Sequence, residues 1–229
     1  VQVPCRSARF TLQTLPLEDY PELPEMPSAS GTIKADVLAA AVSQVAVAAG
    51  RDDMLPVLTG VRIEIEGPQV TLAATDRYRL AVREFGWTPE HPDASATALV
   101  PARVLADTAK AFASGSDVTI ALAAPGSGAG EGMVGFSGTS GGATRRTTTR
   151  LLDGEFPKYR TLFPAEQQVV ARIETAALVE SLKRVALVAE RNTPVRMSLE
   201  DGLATLDAGS SDEAQAAESV EVHIEGDGI

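Results

Sequence analysis

The stretch IKADVLAAAVSQVAVAAGR, residues 33–51, returns 140 positions later as IETAALVESLKRVALVAER, residues 173–191. Ile33, Leu38, Val42, Val45, Ala46, Ala49 and Arg51 stand against Ile173, Leu178, Leu182, Val185, Ala186, Ala189 and Arg191. Apolar residues three and four apart place one face of a helix toward a core. The spacing predicts a first helix from Thr32 to about Ala49, stopped by Gly50, and a matching one from about Glu174 to Glu190.

The likeness extends outward from both copies. Val61-Arg62-Ile63 with Glu66 corresponds to Val195-Arg196-Met197 with Glu200, and Thr71-Leu72 to Thr205-Leu206, now 134 apart. A six-residue deletion near Pro56 reconciles the two offsets. A third echo sits at the start: Leu12, Tyr20 and Leu23 lie 139 before Leu151, Tyr159 and Leu162. Self-similarity of this period marks repeated structural modules. The expected boundaries give residues 1–27 as the tail of one module, 28–167 as a complete module with its connector, and 168–229 as the first half of a third.

The complete module has a second helix expected from Pro101 to Ala113, with Pro101 suited to the first turn. Short alternating runs predict strands at Val57–Ile65, Gln69–Ala74, Arg77–Glu84, Asp117–Ala123, Gly132–Phe136 and Thr144–Leu152. The third module adds Pro194–Leu199, Leu203–Asp207 and Glu218–Ile224. The Gly- and Ser-rich stretch Ala124–Gly142 reads as hairpin loop. Helices and strands in repeated modules place the chain in the α+β fold class.

Formal net charge is −11, which argues at first against a phosphate-binding partner. The distribution changes that reading. Residues 199–229 hold nine acids and no Lys or Arg, and removing them leaves 22 acids against 20 bases. Basic residues elsewhere have room to form a local patch. The chain has one cysteine, Cys5, which forms no internal disulfide and fits a reducing cytoplasm. No stretch approaches the roughly 20 apolar residues of a membrane span, and no signal peptide opens the chain.

Nothing in the sequence assembles into a catalytic or metal site. Gly126-Ser127-Gly128-Ala129-Gly130 lacks the strand-then-helix context and the Lys of a phosphate loop. His91 and His223 have no partner at metal-ligand spacing. Asp52-Asp53 and Asp76 read as turn formers. No cofactor is expected. A site assembled from distant residues, and an unrelated repeat scaffold, are the alternatives that residue patterns leave open.

Two segments point to binding. In Thr75-Asp76-Arg77-Tyr78-Arg79-Leu80-Ala81-Val82-Arg83 a turn leads into a strand expected to show Tyr78, Leu80 and Val82 on one face and Arg77, Arg79 and Arg83 on the other. Arg and Tyr favour peptide contacts. In Leu151-Leu152-Asp153-Gly154-Glu155-Phe156-Pro157-Lys158-Tyr159-Arg160-Thr161-Leu162-Phe163-Pro164 a turn is followed by a connector stiffened by proline.

Together these segments resemble the two signature stretches of the bacterial DNA polymerase III beta subunit, the sliding clamp, in an actinobacterial-like form. The resemblance implies the DNA clamp fold, with three like domains per chain, each with two helices packed on antiparallel sheets. By it the chain holds the end of domain 1, all of domain 2 and a truncated domain 3. It further implies a cytoplasmic, non-catalytic processivity factor, a homodimeric ring around double-stranded DNA that contacts phosphates without reading sequence. Implied partners are the polymerase III alpha subunit, the clamp loader, and other proteins with the same motif, such as ligase and repair polymerases. No membrane is involved.

Carried over by motif position, the partner-peptide pocket takes Leu58, Thr75, Arg77, Tyr78 and Arg79 from the first region. Leu80, Pro157, Thr161 and Leu162 complete it. Arg51, Arg103, Lys110, Lys183 and Arg184 would face DNA, and Leu187 and Val188 the subunit interface. Arg77-Tyr78 stand where many relatives carry small residues or His, and Thr161 where some carry Arg. With the pocket wall from the rest of domain 3 absent, the piece as given is expected to bind peptides poorly.

Overall fold

The computed structural model describes residues 1–20, 26–27, 29–122, 132–163, 169–190, 193–210 and 214–226. It divides into two compact units, Val1–Lys158 and Tyr159–Ile229. The boundary expected near 167 falls among residues 164–168, which, with Pro164, lie outside the described residues. So do Leu23, Arg191, the acids Asp212, Glu213 and Asp227, and the Gly126–Gly130 loop.

The first unit opens with a hairpin of β1 (Gln2–Cys5) and β2 (Ala8–Thr11). Its body follows as β3 (Ala29–Lys34), α1 (Ala35–Ala46), β4 (Gly60–Glu66), β5 (Gln69–Thr75), β6 (Leu80–Gly86), β7 (Thr88–Pro89) and β8 (Ser95–Pro101). Then come α2 (Ala102–Phe112), β9 (Asp117–Leu122), β10 (Met133–Ser140) and β11 (Ala143–Arg150). Two antiparallel sheets result, ordered β11-β10-β9-β3-β7 and β6-β5-β4-β8. Both helices supply the core between their apolar faces and the sheets: Leu38, Val42 and Val45 of α1 and Leu105, Ala109 and Phe112 of α2 are buried with Ile63, Leu72, Ile120 and Phe136.

The second unit holds β12 (Val170–Ile173), α3 (Thr175–Val185), β13 (Arg196–Glu200), β14 (Leu203–Gly209) and β15 (Gln215–Glu225). Its sheet runs β12-β15-β14-β13. The order strand, helix, three strands thus repeats from the first unit. Equivalent residues carry equivalent burial: Val45 and Val185 are buried, as are Leu72 and Leu206.

Several expectations need correction. Residues 29–34 are strand, so α1 begins at Ala35 rather than Thr32, and it ends at Ala46 rather than Ala49. Helix α3 begins as expected, with Glu174 as its N-cap, but ends at Val185 rather than Glu190, and the strand at 170–173 before it was not expected. Ile33 satisfies both readings, because it is buried and sits at a strand-to-helix junction. A strand at Ser95–Pro101 was missed, since its small alanines give little alternation. The glycine-rich stretch is shorter than expected: β10 runs to Ser140, and the turn into β11 falls at Gly141-Gly142. Arg77 to Arg79 are not strand. Arg77 has φ +80°, so the expected alternation from 77 onward fails, and Tyr78 stands 91% exposed.

Candidate functional site

The site grows out of the turn between β5 and β6. Thr75 ends β5 opposite Leu80, which begins β6. Between them the Asp76 carboxylate accepts hydrogen bonds from the Tyr78 amide at 3.1 Å, the Arg79 amide at 3.0 Å and the Arg79 Nε at 2.9 Å. The Thr75 hydroxyl donates to the Arg79 carbonyl at 2.7 Å and accepts from the Arg77 amide at 3.2 Å. Burial alone would raise the Asp76 pKa; the backbone amides of Arg79 and Tyr78 and the Arg79 guanidinium outweigh it and hold the carboxyl below its ordinary range. The turn is therefore fixed before any ligand arrives. Its strained member is Arg77, in the left-handed region that costs a residue with a side chain about 1–2 kcal/mol.

This turn faces the loop that follows α1. Asp52 Oδ1 accepts from the Met54 amide at 2.9 Å, the Gly50 amide donates to the Leu58 carbonyl at 2.7 Å, and a short helical turn over Pro56–Thr59 delivers Leu58. Between turn and loop lies a cavity of about 590 Å³. Leu55 and Leu58 form its apolar part, and Arg51, Arg77, Tyr78 and Arg79 its rim. Leu58 is buried, whereas Tyr78 is almost wholly exposed.

Of the residues assigned to the pocket from sequence, Leu58, Arg77, Tyr78 and Arg79 line this cavity. Thr75 and Leu80 brace the turn from the strand ends. Pro157 belongs to the first unit and is exposed; Thr161 and Leu162 belong to the second, in the turn Tyr159–Leu162. Ala49, Gly50, Asp52, Leu55 and Asp76 also line the cavity and were not assigned. Asp52 and Asp76 were noticed only as turn formers, which they are. In the second signature Gly154, at φ +125°, sits so close to Val57, the neighbour of Leu58 in sequence, that an added Cβ would lie 2.4 Å from its methyl.

The basic residues separate into two groups. Arg51 and Arg103 border a further cavity of about 600 Å³ between the end of α1 and the start of α2, and Lys110 is exposed in the last turn of α2. In the second unit Lys183 and Arg184 are both paired. Lys183 meets Glu180 at 2.8 Å, and Arg184 Nε meets Glu218 at 2.9 Å. Hydrogen bonding to Glu218 raises the Arg184 pKa, and that same bond lowers the Glu218 pKa. Lys34, at the end of β3, pairs with Asp117. Leu187 is 83% exposed, while its neighbour Val188 packs on the small core around Val185 and Leu206.

Among the described residues no group of three or more His, Cys, Asp or Glu could hold a metal ion, and no helix is long and apolar enough to cross a membrane.

Comparison with known proteins gives this arrangement a family. The model of the DNA polymerase III beta subunit central domain matches residues 32–158, and that of its C-terminal domain matches 160–229. The beta sliding clamp of Streptomyces coelicolor is 66% identical over 99% of this chain, and the beta sliding clamp homolog GriR of Streptomyces muensis 45% identical over all of it. This chain spans 59% of the length of each. Among solved structures, the DNA polymerase III subunit beta of Pseudomonas aeruginosa superposes with a TM-score of 0.79 at 25% identity, covering 99% of this chain and 60% of that one. A sliding clamp from that organism bound to griselimycin superposes with a TM-score of 0.75 at 26% identity, covering 98% and 58%. The chain belongs to the DNA polymerase III beta subunit family, the beta sliding clamps.

Proposed function

We propose that this protein serves as a DNA processivity factor, with no chemistry of its own. As a ring-shaped homodimer it encircles duplex DNA in the cytoplasm and tethers the polymerase III alpha subunit, and the clamp loader, ligase and repair polymerases use the same handle. Tethering raises the effective concentration of polymerase at its template, so a dissociating enzyme becomes processive. Contact with DNA runs through phosphates and carries no sequence preference. Arg51, Arg103 and Lys110 are the first unit's candidates for it. With Lys183 and Arg184 already paired, ring topology rather than electrostatic affinity keeps the protein on DNA. Leu187, exposed on the second unit, and Val188 beside it are the candidates for the subunit interface.

The cavity rimmed by Arg77, Tyr78 and Arg79 over Leu58 carries this reading. Its mixed walls suit a short peptide that buries an apolar side chain and presents polar backbone to fixed groups. In the reading carried over from the family, Thr75, Leu80, Pro157, Thr161 and Leu162 contribute to the same handle. The griselimycin complex of a relative supports a ligand-accepting surface in this family. The test titrates a fluorescent peptide copied from the clamp-binding segment of the alpha subunit against the full-length protein and its Leu58→Ala variant. The expected result is at least tenfold weaker binding by the variant, with Trp87 fluorescence confirming that it is folded. Equal affinities would remove the cavity from the function.

A further inference from the structure

The cavity's rim carries more charge than an apolar handle needs. Three guanidiniums, of Arg51, Arg77 and Arg79, stand around it with two carboxylates, of Asp52 and Asp76. Asp76 is engaged by Arg79 and two amides, and Asp52 is turned to the Met54 amide. Among the described residues neither Arg51 nor Arg77 has an ion-pair partner. Both are exposed at the mouth, next to Leu55 and Leu58.

Arg77 adds an independent observation. It holds φ +80°, a conformation that glycine or asparagine adopts far more readily. Among the described residues its side chain has no hydrogen-bond or ion-pair partner. Thr75 and Asp76 hold the backbone of the turn, so the strained Arg77 presents an uncommitted guanidinium at the rim, open to a group the protein meets when it binds.

We propose that Arg77 is a specificity-determining residue that selects partner peptides carrying a carboxylate beside their apolar anchor. The inference rests on the reading of this cavity as a peptide site. The apolar side chain enters over Leu55 and Leu58, and the neighbouring Asp or Glu of the peptide meets the Arg77 guanidinium at the rim. Arg79 cannot take this role, because Asp76 already holds it. Tyr78, standing free beside Arg77, covers the occupant's backbone and partly shields the new pair from water.

The test uses three fluorescent peptides on the full-length protein: one with an apolar anchor and a flanking Asp, the same peptide with Asn, and a scrambled control. On the wild type the Asp peptide is expected to bind about threefold to fivefold more tightly than the Asn peptide, the range of a partly exposed ion pair. In Arg77→Asn, which tolerates the left-handed backbone, the ratio of the two affinities should fall to about one. Arg77→Lys should restore part of the preference. Arg83→Asn removes the same charge from β6 away from the cavity, and should leave the ratio unchanged. Equal binding of the Asp and Asn peptides by the wild type overturns the role of Arg77 and leaves the peptide site standing. A ratio that falls equally in Arg83→Asn overturns it too, by reducing the effect to net charge. Failure of both anchored peptides to exceed the scrambled control overturns the peptide site itself.

Discussion

Replacing Gly154 by alanine should destabilise the first unit, and the structure says by how much. Gly154 has φ +125°, and the new Cβ would lie 2.4 Å from a methyl of Val57. The backbone conformation costs a residue with a side chain about 1–3 kcal/mol. Val57 is β-branched and stiff about χ1, so relieving the contact by rotation adds about 0.5–1.5 kcal/mol. Alanine returns about 0.4–1 kcal/mol, because its unfolded chain has less freedom to lose. The sum is a loss of about 2 kcal/mol, which for a small domain moves a urea midpoint by about 1 M. Gly141→Ala provides the comparison. Its φ is +59°, but nothing lies within 4 Å of the added Cβ, so only the left-handed cost of about 1–2 kcal/mol applies, about half of it offset in the unfolded state. The assay is urea unfolding followed by Trp87, the single tryptophan, which is buried in this unit with its indole N–H donating to the Gly67 carbonyl at 2.8 Å. Equal midpoints for the two variants would refute the contribution of crowding at Val57.

Two further outcomes concern pH. The Asp76 pKa is lowered in the folded protein, so its contribution to stability is complete above the ordinary carboxylate value, about 4, and is lost as pH falls through the lowered one. Asp76→Asn should flatten the acid side of the Trp87-monitored stability profile, and an unchanged profile would contradict the account of the turn. Glu174 caps α3 by accepting from the Ala176 and Ala177 amides, and those bonds lower its pKa. Protection of the Ala176 and Ala177 amides, taken relative to their intrinsic exchange at each pH, should therefore fall as pH drops through the lowered Glu174 pKa, and lose that dependence in Glu174→Gln. Persistence of the dependence in the variant would show that another group governs it.

Much of this fold was legible because helical periodicity survives in a short window. Leu38, Val42 and Val45 needed no partner to declare a buried face, and α2 was bounded correctly by Pro101. Strands that lead directly into helices were not legible. Ile33 serves the core from a strand and equally fits a helical stripe, so the period ran on through Lys34. At the site, motif position led to Leu58, Arg77, Tyr78 and Arg79. It could not lead to Leu55 or Asp52, because their place depends on how the loop after Gly50 folds against a turn more than twenty residues away. The backbone of Arg77 was equally hidden. A positive φ at arginine has no sequence signature, and it turned an expected alternation into a rim.

Strand β11 ends the five-stranded sheet, with its outer row of backbone groups unpaired by that sheet. An uncovered row of donors and acceptors is a template on which any extended chain can grow. Here the strand reads Ala-Thr-Arg-Arg-Thr-Thr-Thr-Arg, with Arg145, Arg146 and Arg150. Two copies that met along this edge would bring like charges together, so ordered stacking is penalised at its first step. Replacing the three arginines with valine would leave the internal hydrogen-bond ladder to β10 intact while removing that penalty. What the edge arginines protect is thus the solution behaviour of a concentrated protein, a property no single folded copy displays.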